Sequence, residues 1–240
     1  MAVHAAAPPR LVAALNRLRA CGCVAADGAN APLSLAAECE SLWLTEAAAA
    51  HDIAPRRRSG RRPAPQARPH RVDFETIDRR VGSGHISRRK QPLGRALGTS
   101  LRVLDATAGW GVDAALAALM GYDVVASERC AVVHAMLEDG LARARTDPSL
   151  AAALGDRLRF ERCGDSRALL SEAVRAEEQP PDAVASRAVW NPDAVLIDPM
   201  WRDASGFTKG RRKRSTALPR ASIQLLSKLV GKVRDLNYLR

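Results

Sequence analysis

At 240 residues, with 37 Lys+Arg against 26 Asp+Glu and a net charge of +11, the chain has room for one α/β domain and a small extra module. The charge suits a polyanionic partner, and no apolar run reaches the roughly 18 residues of a membrane span, so a cytoplasmic protein without a transmembrane helix is expected. Cysteines 21, 23, 39, 130 and 163 are odd in number and lack zinc-type spacing, which predicts reduced thiols and no metal site.

In chain order, residues 8–20 read as a helix with Leu11, Val12, Leu15 and Leu18 on one face. No acid precedes Asp27, a transit-peptide composition, but the periodic segment favours a folded start. Leu33 to Thr45 gives short strand-like pieces. Residues 1–54 are therefore expected to form a small N-terminal module. Residues 55–71 are rich in Arg and Pro without an acid, and read as a linker that is either solvated or in contact with RNA. Residues 72–240 form the second domain. Near its start, Arg79 to Lys90 combines a Gly-Ser-Gly turn with the cations Arg88, Arg89 and Lys90, a phosphate-contacting or substrate-contacting surface.

From Leu101 onward strands and helices alternate. Strand 101–105 leads to helix 112–120, strand 123–127 to helix 130–145, and strand 158–162 to helix 166–176. A buried strand follows at 194–198, then a final helix at 216–233. The alternation predicts a doubly wound, mostly parallel sheet of Rossmann-like type. Four core strands are legible where such a sheet commonly has about six or seven, and 42 residues follow Asp198, so the C-terminus reads as shortened.

Charge is segregated. Residues 101–200 hold 10 basic and 16 acidic side chains, while residues 201–240 hold 11 and 2. Arginine richness by itself can reflect base composition, but that does not explain the segregation. An acidic core suits a cationic ligand and basic flanks suit RNA.

The run Leu101-Arg-Val-Leu-Asp-Ala-Thr-Ala-Gly-Trp-Gly-Val-Asp113 carries the chemistry. It is a strand, a terminal acid, and a glycine turn opening a helix, as in nucleotide-type sites at strand carboxyl ends. Here the acid precedes Gly109 and Gly111, unlike the dinucleotide fingerprint. That order suits a ligand with a cationic amino-acid end, such as S-adenosylmethionine. Asp105 would orient the glycine loop or meet the ligand's ammonium. Asp113 would either cap the helix or touch the cofactor. Glu128, closing the second strand, is placed to accept both ribose hydroxyls, with Arg129 beside the adenine. Gly164 and Asp165 follow the third strand, where Asp165 either accepts from the adenine amine or caps the next helix.

Asp198-Pro-Met-Trp201 follows the fourth strand. A ring amine is a poor nucleophile because its lone pair is delocalised. A carboxylate can accept its hydrogens and direct the lone pair, so Asp198 is the catalytic candidate. Trp201 offers a stacking face for the base. Arg211, Arg212, Lys213 and Arg214 then form a basic run suited to phosphate.

With these pieces the chain resembles the bacterial small-subunit rRNA guanine-N2 methyltransferase family, RsmJ (YhiQ). The resemblance rests on Gly82 to Lys90, Asp105 to Ala114, Glu128-Arg129, Asp139 to Arg143 and Asp198 to Trp201. It implies a class I fold, S-adenosylmethionine as cofactor, and N2 methylation of a guanosine in 16S rRNA or the small ribosomal subunit. It places Val112, Asp113, Glu128, Arg129, Gly164, Asp165 and Asp198 at cofactor-binding positions. Trp201 departs from the family's usual Phe or Tyr. The competing readings are a catalytically weak RNA-binding relative, an amine methyltransferase with another substrate, and an NAD-dependent oxidoreductase, which the missing G-x-G-x-x-G disfavours.

Overall fold

The structure is a computed structural model that describes residues 7–24, 33–38, 40–46, 69–77, 87–177 and 190–198. These fall into two compact units, one within Met1–Arg71 and one within Val72–Pro199.

In the first unit, helix α1 (Pro9–Ala20) starts on a proline, whose fixed φ suits the first helical turn. It buries Leu11, Ala14, Leu15 and Leu18; Val12, expected on that face, is half-buried because Ala14 takes the central place. Strands β1 (Leu33–Glu38) and β2 (Ser41–Glu46) pair antiparallel, with Leu35 opposite Leu44 and Ala37 opposite Leu42. Those four are buried, as the period of two requires for a sheet with one covered face. Arg10 donates to the Glu40 carbonyl at 2.8 Å and ties the helix to the hairpin turn. His70 adds a backbone bridge to Leu44, and the Arg71 guanidinium lies 5.2 Å from the Trp43 ring centroid.

In the second unit, helix α2 (Pro92–Leu97) precedes strand β3 (Arg102–Asp105) and helix α3 (Val112–Leu119). Strand β4 (Asp123–Glu128), helices α4 (Ala131–Ala144) and α5 (Pro148–Leu154), strand β5 (Leu158–Cys163), helix α6 (Ser166–Glu177) and strand β6 (Ala194–Leu196) follow. The described strands pair in parallel in the order β5-β4-β3-β6. The chain runs outward from β3 through β4 to β5, then returns to the other side of β3. The gap between β3 and β6 is thus a switch point, where such sheets open a crevice at their carboxyl edge.

Val103, Leu104, Val124, Val125, Ala126 and Leu158 form the buried centre of the sheet. Helix α3 presents Ala114, Ala115, Ala117 and Ala118, all fully buried, so its backbone lies close to the strands. Gly140 does the same for α4: a Cβ there would stand 2.6 Å from Val72 Cγ1. Arg143 donates to the Val72 carbonyl and pairs with Asp139 at 3.2 Å, so the segment entering this unit is strapped across α4. The Asp139 to Arg143 piece singled out in the sequence therefore has a packing role.

Strand β6 differs from expectation. It spans three residues, and Val195 and Ile197 are 40% and 62% exposed. The expected buried strand at 194–198 stands at the end of the described sheet, with β3 as its one described neighbour, so its outer side chains are uncovered by the described strands. Asp193 anchors it, accepting from the Leu101 and Arg102 amides and from the Arg102 guanidinium at 2.8–3.0 Å. That ion pair holds the Asp193 carboxyl down at about 2. The expected helix at 216–233 lies outside the described residues.

Candidate cofactor and catalytic site

The loop from Ala106 to Gly111 is stitched to both neighbours of β3. Ala106 N–H donates to the Leu196 carbonyl at 2.9 Å, Ala108 N–H to the Ser127 carbonyl at 3.0 Å, and Gly109 N–H to Glu128 Oε2 at 3.0 Å. Gly111 closes the turn on the Ala108 carbonyl at 2.7 Å. A loop held at this many points needs little reordering when a ligand arrives, which saves binding free energy.

Gly109 and Gly111 adopt φ of 52° and 71°, where glycine is favoured. Gly111 is also fixed by packing. A Cβ there would lie 2.6 Å from Leu137 Cδ2, 3.2 Å from Phe74 and 3.3 Å from Phe160. The space beside it is protein interior. Around Gly164 the space is open, with nothing within 4 Å of an added Cβ.

Asp105 is 2% exposed and accepts from the Thr107 amide at 3.0 Å. Burial pushes its carboxyl up to about 7, and Asp113, Glu128 and Asp198 add to the rise through their charges. Asp113, in the first turn of α3, is raised by burial and by Asp198. Glu128 is raised by burial, against the opposing hydrogen bonds from Cys130 and Gly109. Four acids gathered on one carboxyl edge, with Asp105 pushed up to about 7, make a site that gains from a cation.

Glu128 Oε1 accepts the Cys130 amide at 2.8 Å while Oε2 takes Gly109. The Arg129 amide also bonds to this carboxylate, which with about four acceptor sites keeps capacity for a ligand hydroxyl. Asp165 shows the capping geometry: its Oδ1 accepts the Arg167 amide at 3.0 Å, and its Oδ2 accepts both Arg167 Nε, at 2.8 Å, and a second guanidinium nitrogen. Those bonds lower its carboxyl and leave one acceptor site of the four. Val112 is 48% exposed and Arg129 is exposed, both beside this edge.

Asp198 donates its amide to the Thr107 hydroxyl at 2.8 Å, across the switch point. Thr107 sits inside the glycine motif, where the sequence pattern alone assigns it no role. A hydroxyl between two glycine-turn residues and a facing strand end is the available signal. Among the expected RNA-contacting residues, Arg88 turns inward. It donates to the Met120 and Gly121 carbonyls at 3.2 and 2.8 Å and stacks 4.0 Å over Tyr122. Arg89 and Lys90 are exposed. Trp201 and Arg211, Arg212, Lys213 and Arg214 lie outside the described residues.

Residues 58–239 match the family described as "Putative SAM-dependent methyltransferase". The chain belongs to this family, whose cofactor is S-adenosylmethionine. Its fold is similar to the crystal structure of a SAM-dependent methyltransferase from Neisseria gonorrhoeae, with a TM-score of 0.52 and 22% identity over 83% of this chain and 69% of that one. It is 34% identical over 161 residues to "Ribosomal RNA small subunit methyltransferase J" of Photobacterium profundum, covering 67% of this chain and 55% of the relative. The protein of the same name from Pseudomonas paraeruginosa is 36% identical over 147 residues, 59% of this chain and 50% of that one. The chain thus spans about half the length of these curated relatives. Among the described residues no helix is long and apolar enough to cross a membrane, and no group of three His, Cys, Asp or Glu is placed to hold a metal ion.

Proposed function

We propose that the chain transfers a methyl group from S-adenosylmethionine to the exocyclic N2 amine of a guanosine in 16S rRNA, free or in the small ribosomal subunit, in the cytoplasm. The observation that carries this reading is the acid cluster at the β3–β6 switch point, in a chain whose relatives are named as small-subunit rRNA methyltransferases.

The residues present fit the cofactor. Glu128 keeps acceptor capacity for a ribose hydroxyl. Gly164 leaves open space for the adenine, and Asp165 keeps one acceptor site for its amine. Asp105, Gly109, Gly111, Val112 and Asp113 surround the methionine end, with Gly111 acting through the shape of the turn. Arg129 borders the adenine. When bound, the cofactor supplies an electrophilic methyl group on a sulfonium.

Asp198 does the positioning. Its carboxylate accepts a hydrogen of the guanine amine, so the nitrogen lone pair points along the line of transfer. The same carboxylate then takes the proton that the amine sheds. Thr107 holds the Asp198 backbone while this happens. Trp201 stacks on the base, and Arg89, Lys90 and Arg211 to Arg214 hold phosphates.

The test is transfer of tritiated methyl groups to 16S rRNA and to assembled small subunits, followed by nucleoside analysis. N2-methylguanosine is expected as the labelled product, with Glu128→Ala weakening cofactor binding by about 1–3 kcal/mol. Label in a different nucleoside, or S-adenosylmethionine binding without transfer to either substrate, would replace this reading with another amine substrate or a weak RNA-binding relative.

A further inference from the structure

We propose that Cys21 and Cys23 form a redox-active dithiol that exchanges with low-molecular-weight disulfides of the glutathione type. The site lies in the N-terminal unit and is independent of methyl transfer. The two sulfurs are 3.0 Å apart and both residues are exposed.

The backbone brings them together without help from the thiols. Helix α1 ends with Gly22 N–H bonded to the Arg19 carbonyl and Cys23 N–H bonded to the Leu18 carbonyl, both at 3.0 Å. This pair of bonds, with the glycine at φ 71°, is the Schellman helix stop. It places the cap residue and the second residue beyond the helix side by side. Here both are cysteines, so the loop that must be closed for a disulfide is already closed by hydrogen bonds.

The pair suits exchange better than metal binding. A zinc ion needs about four ligands, and no third donor group is gathered among the described residues. The Cys23 side chain and amide, hydrogen-bonding to the Cys21 sulfur, lower the Cys21 thiol from its ordinary value, which raises the fraction of thiolate able to attack.

The exchange balances in two steps. The Cys21 thiolate attacks one sulfur of the oxidised small molecule, whose S–S bond breaks and whose other half leaves as a thiol after taking a proton. Cys23, losing its proton to solvent, then attacks the Cys21 sulfur and expels the second small thiol. Two protein thiols are oxidised and one small disulfide is reduced to two thiols.

The full chain, reduced and then equilibrated with graded ratios of reduced to oxidised glutathione, is alkylated and mapped by peptide mass spectrometry. The expected result is a peptide containing both cysteines that has lost two hydrogens and retains no glutathione. It should form at oxidant levels at least about tenfold below those that place glutathione on Cys130 or Cys163, a gap of about 30 mV for a two-electron couple. Cys23→Ser should instead trap a stable glutathione adduct on Cys21, and does not depend on closing the ring. The proposal is overturned if the wild-type peptide accumulates glutathione adducts, or stays reduced while Cys163 is modified.

Discussion

The amide of Asp198 donates to the Thr107 hydroxyl at 2.8 Å, so the end of β6 is fixed to the glycine loop by a side chain of the loop itself. With the bond from the Ala106 amide to the Leu196 carbonyl, it ties the glycine loop to this strand end at a second point. Thr107→Val removes the bond and keeps the shape. Turnover on rRNA should fall about tenfold, the equivalent of 1.4 kcal/mol, while cofactor affinity changes little. Thr107→Ser should recover most of the loss. Equal turnover for Thr107→Val and wild type, measured under saturating substrate, would separate Asp198 from the loop.

Asp105 gives the apoprotein a pH signature. Unfolded, it titrates near its ordinary value of 3.8; folded, it holds its proton up to about 7. Between those limits the folded state binds more protons, so stability falls as pH rises from about 4 to about 7. Asp105→Asn removes this penalty. Denaturation should show the variant no more stable than wild type at pH 4 and more stable by a few kcal/mol, to order of magnitude, at pH 8. Its affinity for S-adenosylmethionine should drop, since the acid that favours a cation is gone. A stability gap that does not change with pH would remove Asp105 from this account.

Two glycines should separate by what their substitution affects. Gly111→Ala faces a left-handed φ and a 2.6 Å contact with Leu137, so it should cost about 2–4 kcal/mol in chemical denaturation. Gly164→Ala meets nothing within 4 Å, so it should leave stability nearly unchanged and weaken cofactor binding by filling the open space. Equal effects of the two on stability would contradict the packing described here.

The basic segment at 88–90 should divide by residue. Arg88→Ala loses two carbonyl bonds and the Tyr122 contact, and should lower stability by about 1–3 kcal/mol. Replacing Arg89 and Lys90 together should leave stability intact and flatten the salt dependence of RNA binding, because each lost phosphate contact removes released counterions. An unchanged salt slope would assign both to the solvated surface.

The parts of this chain that were legible in the sequence are those with strong local signals. Strands 102–105 and 123–128 have apolar centres and end in an acid, strand 158–163 begins by alternating apolar and charged residues, and their parallel pairing followed from the helices between them. Helices α2 and α5 were missed: at six and seven residues they are too short for a 3.6-residue period to show. The exposure of β6 was missed because an apolar strand reads the same at an edge as in a centre. Site chemistry divides similarly. The positions of Asp105, Glu128 and Asp198 at strand ends could be read from spacing. The inward turn of Arg88 and the grip of Arg167 on Asp165 could not, since both depend on where a long side chain finds its partner in three dimensions.

The strap across α4 has a consequence for the glycine loop. Val72 fills the notch over Gly140, its carbonyl is held by Arg143, and Phe74, two residues on, braces the turn at Gly111 and stacks 6.2 Å from Phe160. The first residues of the second unit thus act as a keystone under the glycine loop. A change of volume at Val72 is thus passed through Phe74 to Gly111, so the loop can be altered from a position outside the glycine motif.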